Sequence, residues 1–116
     1  MLPGKNRFHS RGGVRFVYAH GMSKRSPRVS INYLINTRRK NSRFAVVVSK
    51  KVLKGAVGRN RIRRRIYEVI RHELPKMVEP VDVIVTVYTK DLRELPSKEL
   101  IEIVRQLFRE AGLYEV

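Results

Sequence analysis

The 116-residue sequence contains no cysteine and no tryptophan, and its first acidic residue is Glu68. The lack of cysteine excludes disulfide frameworks, cysteine-based zinc sites and thiol nucleophiles. No apolar run approaches the roughly 20 residues that a membrane-spanning helix requires. The N-terminal segment does not combine a basic start with an apolar run and a small-residue cleavage site. We therefore expect a cytoplasmic protein that does not associate with a membrane.

Positive charge is concentrated in the first part of the sequence. Residues 1–67 contain 19 of the 26 Lys and Arg residues and none of the 10 Asp and Glu residues. A solvated protein surface usually mixes both signs, and so long a segment of one sign repels itself in the free protein. A polyanionic partner would relieve that repulsion. A nucleic acid is favoured over an anionic membrane, because no basic helix has a bulky apolar face free for lipid.

The hydrophobic pattern predicts one α+β domain over residues 1–116, a two-layer α/β sandwich with helices packed on a small central sheet. Residues 1–10 lack periodicity and are predicted to form a flexible basic arm. Helices are expected at Arg11–His20, at about Gly58–Glu73 and after Ser97 as N-cap. Strands are expected at Val29–Ile35, Arg43–Lys50 and Val81–Tyr88, with room for a further short strand near residues 22–28. The predicted order is α-β-β-(β)-α-β-α.

Two of the predicted strands have one apolar side and one side of smaller or more polar residues. The second side consists of Ser30, Asn32, Ala45, Val47 and Ser49. Such a surface could lie flat under a single nucleic-acid strand, and Tyr18 on the preceding helix could stack on a base. Tyr18 also fits as a core residue on the apolar stripe of its own helix. The sequence leaves both interpretations open.

The densest basic cluster falls in the second predicted helix, whose apolar stripe is centred on Ile62, Ile66 and Ile70. At 100° per residue, the opposite side presents Asn60, Arg64, Tyr67 and Arg71, flanked by Arg61 and Arg65 on one side and by Arg63 on the other. Five arginines in the first two turns oppose the helix dipole, which favours acids there. This departure from local preference points to function, and the forked donors of Arg match phosphate oxygens. A merely solvated basic face is the alternative.

The segment Lys50-Lys51-Val52, followed by Ala56-Val57-Gly58-Arg59-Asn60-Arg61-Ile62-Arg63-Arg64, resembles the signature of the bacterial ribonuclease P protein family. Ser49 at the end of the preceding strand, the order of elements and the chain length match this family as well. The resemblance spans nearly the whole chain and is strongest from Arg43 to Arg71. A run of arginines alone would not be specific, whereas Arg-Asn-Arg after a strand ending in Ser-Lys-Lys is.

The resemblance implies both a fold and a function. The family fold is a small α/β sandwich with a left-handed βαβ crossover, an exception to the right-handed rule. The family protein joins a large catalytic RNA and helps it cut the 5′ leader from precursor tRNA. The RNA supplies the active site and holds most of the Mg²⁺. We therefore expect the catalytic RNA and precursor tRNA as partners, no obligate protein partner, and neither catalytic residues nor a metal site in this chain.

The residue patterns and the resemblance together give two sets of candidate residues. The first set, expected to bind the catalytic RNA, is Arg59, Asn60, Arg61, Arg63, Arg64, Arg65, Tyr67 and Arg71. The second set, expected to form the leader-binding cleft, is Val14, Tyr18, Ser30, Asn32, Ala45, Val47, Ser49, Lys50 and Lys51. Val14 stands where the family usually has an aromatic residue, and Tyr67 stands where the motif usually continues with Arg.

Two other functions remain open at this stage. A ribosomal protein or RNA chaperone could share the basic sandwich without any role in cleavage. A protein-only nuclease could use His9 and His20 as acid and base with Lys50. The histidines are far apart in sequence and none pairs at i+4, which disfavours a metal site. Asp82, at the start of a predicted strand, is interpreted as a turn residue.

Overall fold

The computed structural model describes residues 2–8 and 11–115. In chain order the elements are α1 (Arg11–His20), β1 (Met22–Arg25), β2 (Val29–Ile35), β3 (Arg43–Val48), α2 (Ala56–Glu73), β4 (Val81–Val87) and α3 (Ser97–Glu110). Short 3-10 helices lie at Gly4–Asn6, Leu74–Lys76 and Lys90–Arg93. The predicted class and order are confirmed, including the further short strand. Across the described ranges, no helix is long and apolar enough to cross a membrane.

Four element ends differ from the predicted ones, and one of them is the end of β4, at Val87 rather than Tyr88. β3 ends at Val48, before the two lysines, and α2 begins at Ala56 rather than at Gly58. α3 begins at Ser97 itself, with Pro96 as its N-cap and no side-chain cap. The proline ring fixes φ of Pro96 at −52°, close to the helical value. Pro96 thus takes the N-cap position that was predicted for Ser97.

The sheet has the strand order β1-β2-β4-β3. β2 is antiparallel to both of its neighbours, whereas β3 and β4 are parallel. Two parallel neighbours need a crossover connection, and here α2 provides it. The β3-α2-β4 unit is thus the crossover that the resemblance implies. The left-handed sense of this crossover stays a prediction.

One face of the sheet forms the main core with α2 and α3. Alternate residues of β2, β3 and β4 point into it, and the two helices cover them with one apolar stripe each. Its buried members include Val29, Ile31, Phe44, Val46, Val83 and Val85 from the strands, Ile62, Ile66, Val69 and Ile70 from α2, and Leu100, Val104, Leu107 and Phe108 from α3. The predicted apolar stripe of α2 therefore faces the core.

α1 lies on the opposite face of the sheet. Val17 of α1 and Ile84 of β4 are both fully buried, yet they do not belong to the main core. Ile84 points away from Val83 and Val85 because side chains alternate along a strand. α1 contacts β2 and β4, so the middle of β4 is covered on both sides. This covering explains the nearly unbroken apolar sequence of β4.

Gly21 fixes the position of α1 against the sheet. A Cβ atom at this residue would lie only 2.6 Å from the carbonyl oxygens of Tyr33 and Val17, so no other residue fits without a shift of the backbone. The Gly21 amide donates to the Val17 carbonyl at 2.7 Å and closes the last turn of α1. The end of α1 is thereby held directly on β2.

The N-terminal segment needs a correction over residues 2–8, where a flexible arm is predicted. Leu2 is buried in the main core, and Arg7 forms a β-bridge with Phe44 at the outer edge of β3. The buried Asn6 side chain donates to the Ser42 carbonyl at 2.8 Å. These contacts satisfy the edge of β3, and a hydrophobic pattern along the chain cannot show them. His9 and Ser10 lie outside the described residues.

Asp82 also differs from its interpretation as a turn residue. It is the second residue of β4 and is fully buried. Arg43 holds it through two hydrogen bonds, from Nε at 3.0 Å and from Nη2 at 2.7 Å, and the Asn36 amide adds a third at 3.2 Å. A buried carboxylate is tolerated when it is paired in this way.

Candidate nucleic-acid interface

Two arginines of α2 stand in solvent without partners. Arg61 and Arg64 are exposed, and they lie on the same side of the helix because they are three residues apart. Within the described residues, neither guanidinium has a hydrogen-bond or ion-pair partner. Asn60 is exposed beside them. Their donors are therefore free for oxygen acceptors such as phosphate.

Arg59 shapes the loop that precedes the exposed arginines. Its Nη1 donates to the carbonyl oxygen of Leu53 at 2.9 Å and to that of Lys54 at 2.5 Å. Since these carbonyls precede α2, the side chain folds back over the helix start. The predicted RNA-binding residue thus has a structural role as well.

Arg63 and Arg65 point to the flanks of α2, as the helical spacing predicts. Arg63 donates to the Asn60 side chain at 2.9 Å. Arg65 donates to the carbonyl oxygen of Leu92 at 2.7 Å and to that of Leu95. Burial lowers the pKa of Arg65, and the charge of Arg61 lowers it further. Arg65 therefore ties α2 to the segment before α3, which restricts the side chain in reaching a ligand.

Arg71, at the far end of the predicted line, is paired within its own helix. Its Nη2 lies 2.5 Å from Glu68 Oε1. Hydrogen bonds from Arg71, together with its charge, lower the pKa of Glu68 to about 2. His72 Nε2 lies 3.3 Å from the same carboxylate. The charge of Arg71 is thus compensated, which weakens its attraction for a phosphate.

The prediction for Tyr67 needs a correction. The helical spacing places this ring on the solvent side, but it is half-buried and packs against the main core. Its hydroxyl accepts a hydrogen bond from the Val46 amide at 3.2 Å, and the Arg7 guanidinium lies 5.0 Å from the ring centre. β3 is an edge strand, and its outward amide needs a partner. Tyr67 supplies that partner and is not a free stacking ring.

The smaller side chains of the strands meet on one surface, as strand alternation predicts. Ser30 lies opposite Thr86, which in turn lies opposite Val47. In the next row, Asn32 lies opposite Ile84, which lies opposite Ala45. We call the surface formed by Ser30, Asn32, Ala45, Val47 and Thr86 the open face. It is the side of the sheet on which α1 lies.

α1 borders the open face with one exposed aromatic side chain. Tyr18 is 48% exposed, so it is not the core residue that its place on the stripe also allowed. Val14 is half-buried and lies one turn before Tyr18 on the same side of the helix. Phe16 is 50% exposed on another side, where its ring centre lies 4.5 Å from that of His20.

The structure adds two residues that the sequence analysis did not select. Tyr88 follows β4, and its hydroxyl lies 2.8 Å from the Ser30 hydroxyl. The Arg25 guanidinium lies 4.7 Å from the centre of the Tyr88 ring, and Arg25 pairs with Ser30 in the sheet. Residue 88 has the same parity as Ile84 and Thr86, so continuing the alternation past the end of β4 would have found it.

The remaining predicted cleft residues lie in the turn after β3. Ser49, Lys50 and Lys51 are exposed. The Ser49 carbonyl accepts hydrogen bonds from the amides of Val52 and Leu53 at 3.1 and 3.3 Å, which shapes the turn. This turn leads from the open face to the start of α2. The two lysines therefore lie on the connection between the two candidate surfaces.

Comparison with known proteins identifies the family of the chain. The family model for Ribonuclease P matches residues 2–112. The chain belongs to the ribonuclease P protein family. The resemblance seen in the sequence is confirmed, and so is the predicted function as a protein component of ribonuclease P. The comparisons give no support to a ribosomal protein or RNA chaperone without a role in cleavage.

Relatives and a solved structure agree with this assignment. A ribonuclease P protein component from Pseudanabaena is 37% identical over 89 residues, which cover 77% of each chain. One from Synechocystis is 34% identical over 107 residues, covering 85% of this chain and 79% of the other. The RNase P protein of Staphylococcus aureus has the same fold, with a TM-score of 0.83 at 20% identity over 95% of this chain and 98% of that one.

Among the described residues of this ribonuclease P protein, His20 and His72 lie in separate surroundings. The His20 ring is tilted against the Phe16 ring, and His72 lies beside Glu68 at the end of α2. His9 lies outside the described residues. In residues 2–8 and 11–115, no three His, Cys, Asp or Glu side chains lie close enough to hold a metal ion. The protein component implies an RNA partner, to which its basic surfaces are suited.

Proposed function

We propose that this ribonuclease P protein acts in the cytoplasm and uses two surfaces in the 5′ maturation of tRNA. The exposed side of α2 binds the catalytic RNA, and the open face with α1 binds the 5′ leader of precursor tRNA. The protein thereby promotes endonucleolytic removal of the leader by the RNA. The supporting observation is a pair of exposed arginines on α2 that have no partner among residues 2–8 and 11–115. The turn at Lys50 and Lys51 joins them to the open face.

The α2 surface suits the phosphates of a folded RNA. Arg61 and Arg64 offer forked donors that match phosphate oxygens, and the nearest acid on this helix, Glu68, is paired with Arg71. Arg59 and Arg65 hold the loops around them in place. The two free arginines are therefore presented on a rigid helix, which reduces the entropy lost on binding.

The open face suits a short unpaired strand. Asn32 and Thr86 are partly exposed polar residues, and Val47 is exposed on the same face, which suits an extended nucleotide chain. Tyr18 and Tyr88 are partly exposed aromatic rings at its borders, and bases of any sequence can stack on such rings. Only precursor tRNA has a leader, so contacts here favour substrate over product.

The chemistry of cleavage is assigned to the RNA partner and to Mg²⁺ held mainly by that RNA. Asp82, the acid nearest the open face in the sheet, is buried and bonded to Arg43 and Asn36. The described side chains thus offer no set of acids suited to Mg²⁺. The residues of this chain neutralise phosphate charge and orient the leader.

The decisive experiment is cleavage of precursor tRNA by the catalytic RNA with and without this protein, over a range of Mg²⁺ concentrations. We expect the protein to accelerate cleavage most at low Mg²⁺, because its cationic segment replaces part of the neutralising counterions. Arg61→Ala/Arg64→Ala should remove most of this effect. The matched control, Lys98→Ala/Arg109→Ala, removes the same formal charge from α3 and should leave the acceleration intact.

Two results would contradict the proposal. One is an equal loss of acceleration in both double variants, which would indicate a general charge effect. The other is RNA-free cleavage that survives repurification and disappears in His20→Ala, which would indicate a protein-only nuclease.

A further inference from the structure

A second basic cluster lies at the turn between β2 and β3, where the N-terminal segment meets the start of β3. It surrounds a surface concavity of about 500 Å³. The lining residues are Lys5, Arg7, Arg38, Arg39, Lys40, Asn41 and Arg43, and none of them is acidic. We call this group the turn cluster. Neither set of candidate residues includes any of its members.

The charge of the turn cluster is largely uncompensated. Arg43 is neutralised by Asp82 at 2.7 Å. Within residues 2–8 and 11–115, no carboxylate pairs with the other five cationic side chains of the cluster. Arg7 is half-buried, and its Nε atom has no hydrogen-bond partner among the described groups. The Arg7 guanidinium lies 5.0 Å from the Tyr67 ring centre and adds positive charge beside the concavity.

The backbone around the turn cluster is held in place before any ligand binds. The Asn36 side-chain oxygen accepts a hydrogen bond from the Arg38 amide at 3.3 Å. The Asn36 carbonyl accepts one from the Arg39 amide at 3.1 Å. The Asn6 side chain donates to the Ser42 carbonyl and joins the N-terminal segment to the turn. The fold therefore brings two basic segments that are distant in sequence into one site. Because their backbone is already held in place, little conformational entropy is lost on binding.

The turn cluster lies at the opposite end of β3 from Lys50 and Lys51. β3 has six residues, so the two ends are about 17–20 Å apart at the usual rise per residue. A neighbouring concavity, lined by Arg38, Arg39 and Phe16 among others, extends the cluster towards α1. The open face therefore has positive charge beyond both of its ends.

We propose that the turn cluster is a second RNA-binding site, which takes phosphate groups of an RNA backbone independently of α2. The fork geometry of Arg38 and Arg39 and the absence of acids favour phosphate oxygens. The phosphates belong either to the catalytic RNA or to the leader of precursor tRNA as it leaves the open face. The inference rests on the proposed function only in naming these two RNAs.

The test is the triple variant Arg38→Ala/Arg39→Ala/Lys40→Ala. All three side chains are exposed, so folding should be unaffected, which a thermal melt checks. The matched control is Lys76→Ala/Lys98→Ala/Arg109→Ala, which removes three exposed cations elsewhere. We expect the turn variant to bind RNA about tenfold or more weakly at low salt, with a salt slope about two to three units shallower. The control should keep the slope within one unit of the wild type.

Two binding arms identify which RNA supplies the phosphates. In the first, the variant is titrated with the catalytic RNA alone. In the second, the assembled ribonucleoprotein is titrated with precursor tRNA carrying a short or a long leader, and with mature tRNA. A loss in the first arm assigns the site to the catalytic RNA. A loss only for the long leader assigns it to the substrate.

Wild-type affinity and salt slope in both arms would overturn the proposal, as would equal losses in the turn variant and its control. These outcomes are separable from failure of the proposed function. If the wild-type protein does not bind the catalytic RNA, or if Arg61→Ala/Arg64→Ala binds it normally, the proposed function fails. The charge-preserving variant Arg38→Lys/Arg39→Lys should retain the salt slope, since the slope counts charges rather than donor geometry.

Discussion

The Tyr88 hydroxyl lies 2.8 Å from the Ser30 hydroxyl at the border of the open face. The Arg25 guanidinium covers part of the ring, which stays 39% exposed. Three strands therefore meet at one aromatic side chain: β1 through Arg25, β2 through Ser30, and β4 through its own C-terminal end. The open face thus has a fixed ring next to strands whose outward residues are small or polar.

This arrangement predicts separate roles for the ring and the hydroxyl of Tyr88. Tyr88→Ala removes a stacking surface and should cost about 1–3 kcal/mol in binding of precursor tRNA by the assembled ribonucleoprotein. Tyr88→Phe keeps the ring and loses only one partly exposed hydrogen bond, so its affinity should stay close to that of the wild type. Mature tRNA, which has no leader, is the control ligand. Equal losses for precursor and mature tRNA would contradict a leader contact.

A second prediction concerns Tyr18, on the other border of the open face. Because its side chain is 48% exposed, Tyr18→Ala should leave the melting temperature nearly unchanged. It should weaken binding of precursor tRNA by about 1–3 kcal/mol and spare binding of the catalytic RNA. Val14→Phe, one turn earlier on the same side of α1, should tighten precursor binding. A sharp fall in melting temperature without loss of precursor discrimination would show that Tyr18 acts only in packing.

A third prediction separates the arginines of α2 by their contacts. Arg65→Ala removes hydrogen bonds to the Leu92 and Leu95 carbonyls and should lower the free energy of unfolding by about 1.5–3 kcal/mol. Arg61→Ala and Arg64→Ala break no hydrogen bond within the described residues and should leave stability unchanged. Binding of the catalytic RNA should respond in the opposite way, with the salt slope shrinking by about one for each lost phosphate contact. Urea titrations and salt-dependent binding measure the two effects.

The sequence predicted most of what depends on periodicity. The buried stripe of α2, the alternation of β2 and β3, and the order of elements all follow from spacings of 3.6 or 2 residues. Tyr67 shows where this reasoning ends. The helical spacing gives the direction of its Cβ atom, but the long side chain extends from there towards β3, where its hydroxyl accepts a hydrogen bond from the Val46 amide. β3 is an edge strand because of the strand order of the sheet, which periodicity does not predict. Its outward Val46 amide therefore needs a hydrogen-bond partner from outside the sheet.

The turn cluster and the N-terminal segment show the same limit. Lys5 and Arg7 are more than 30 residues from Arg38 and Arg39 in sequence, and a contact between Asn6 and Ser42 brings them together. Because the N-terminal segment lacks periodicity, its sequence alone predicts a flexible basic arm. The buried pair of Arg43 and Asp82 depends likewise on the register of β3 against β4, where these two residues are direct neighbours.

A fourth prediction follows from this buried pair. Asp82→Ala leaves the Arg43 guanidinium, which is itself mostly buried, without its carboxylate and should cost about 3–5 kcal/mol of stability. Arg43→Ala leaves Asp82 buried with only the Asn36 amide and should cost a similar amount. The double variant should lose less than the sum of the two single losses, because no uncompensated charge remains. Additive losses in urea unfolding would contradict the coupling.

The last prediction concerns the pH dependence of stability and depends on Glu73, which ends α2. Its buried carboxylate accepts hydrogen bonds from Arg105 Nε at 3.0 Å and from the Tyr114 hydroxyl at 2.8 Å. Burial alone would raise the pKa of Glu73, but these hydrogen bonds, with the charges of Arg105 and Lys76, lower it below the ordinary value of 4.5. Burial raises the pKa of Tyr114 well above its usual range, and the hydrogen bond to Glu73 raises it further.

A carboxyl group whose pKa is lower in the folded state stabilises the fold above its unfolded pKa, and that contribution is lost as the pH falls through the folded value. Wild-type stability should therefore fall as the pH drops below about 4.5, because the unfolded chain binds the proton first. Glu73→Gln should cost about 1–3 kcal/mol at pH 7, a modest loss because Arg105 stays partly in solvent. Its stability should fall less steeply in acid than that of the wild type or of the exposed control Glu99→Gln. Urea unfolding at pH 7, 5, 4 and 3 measures this, and a wild-type acid slope in Glu73→Gln would show that Glu73 is not responsible.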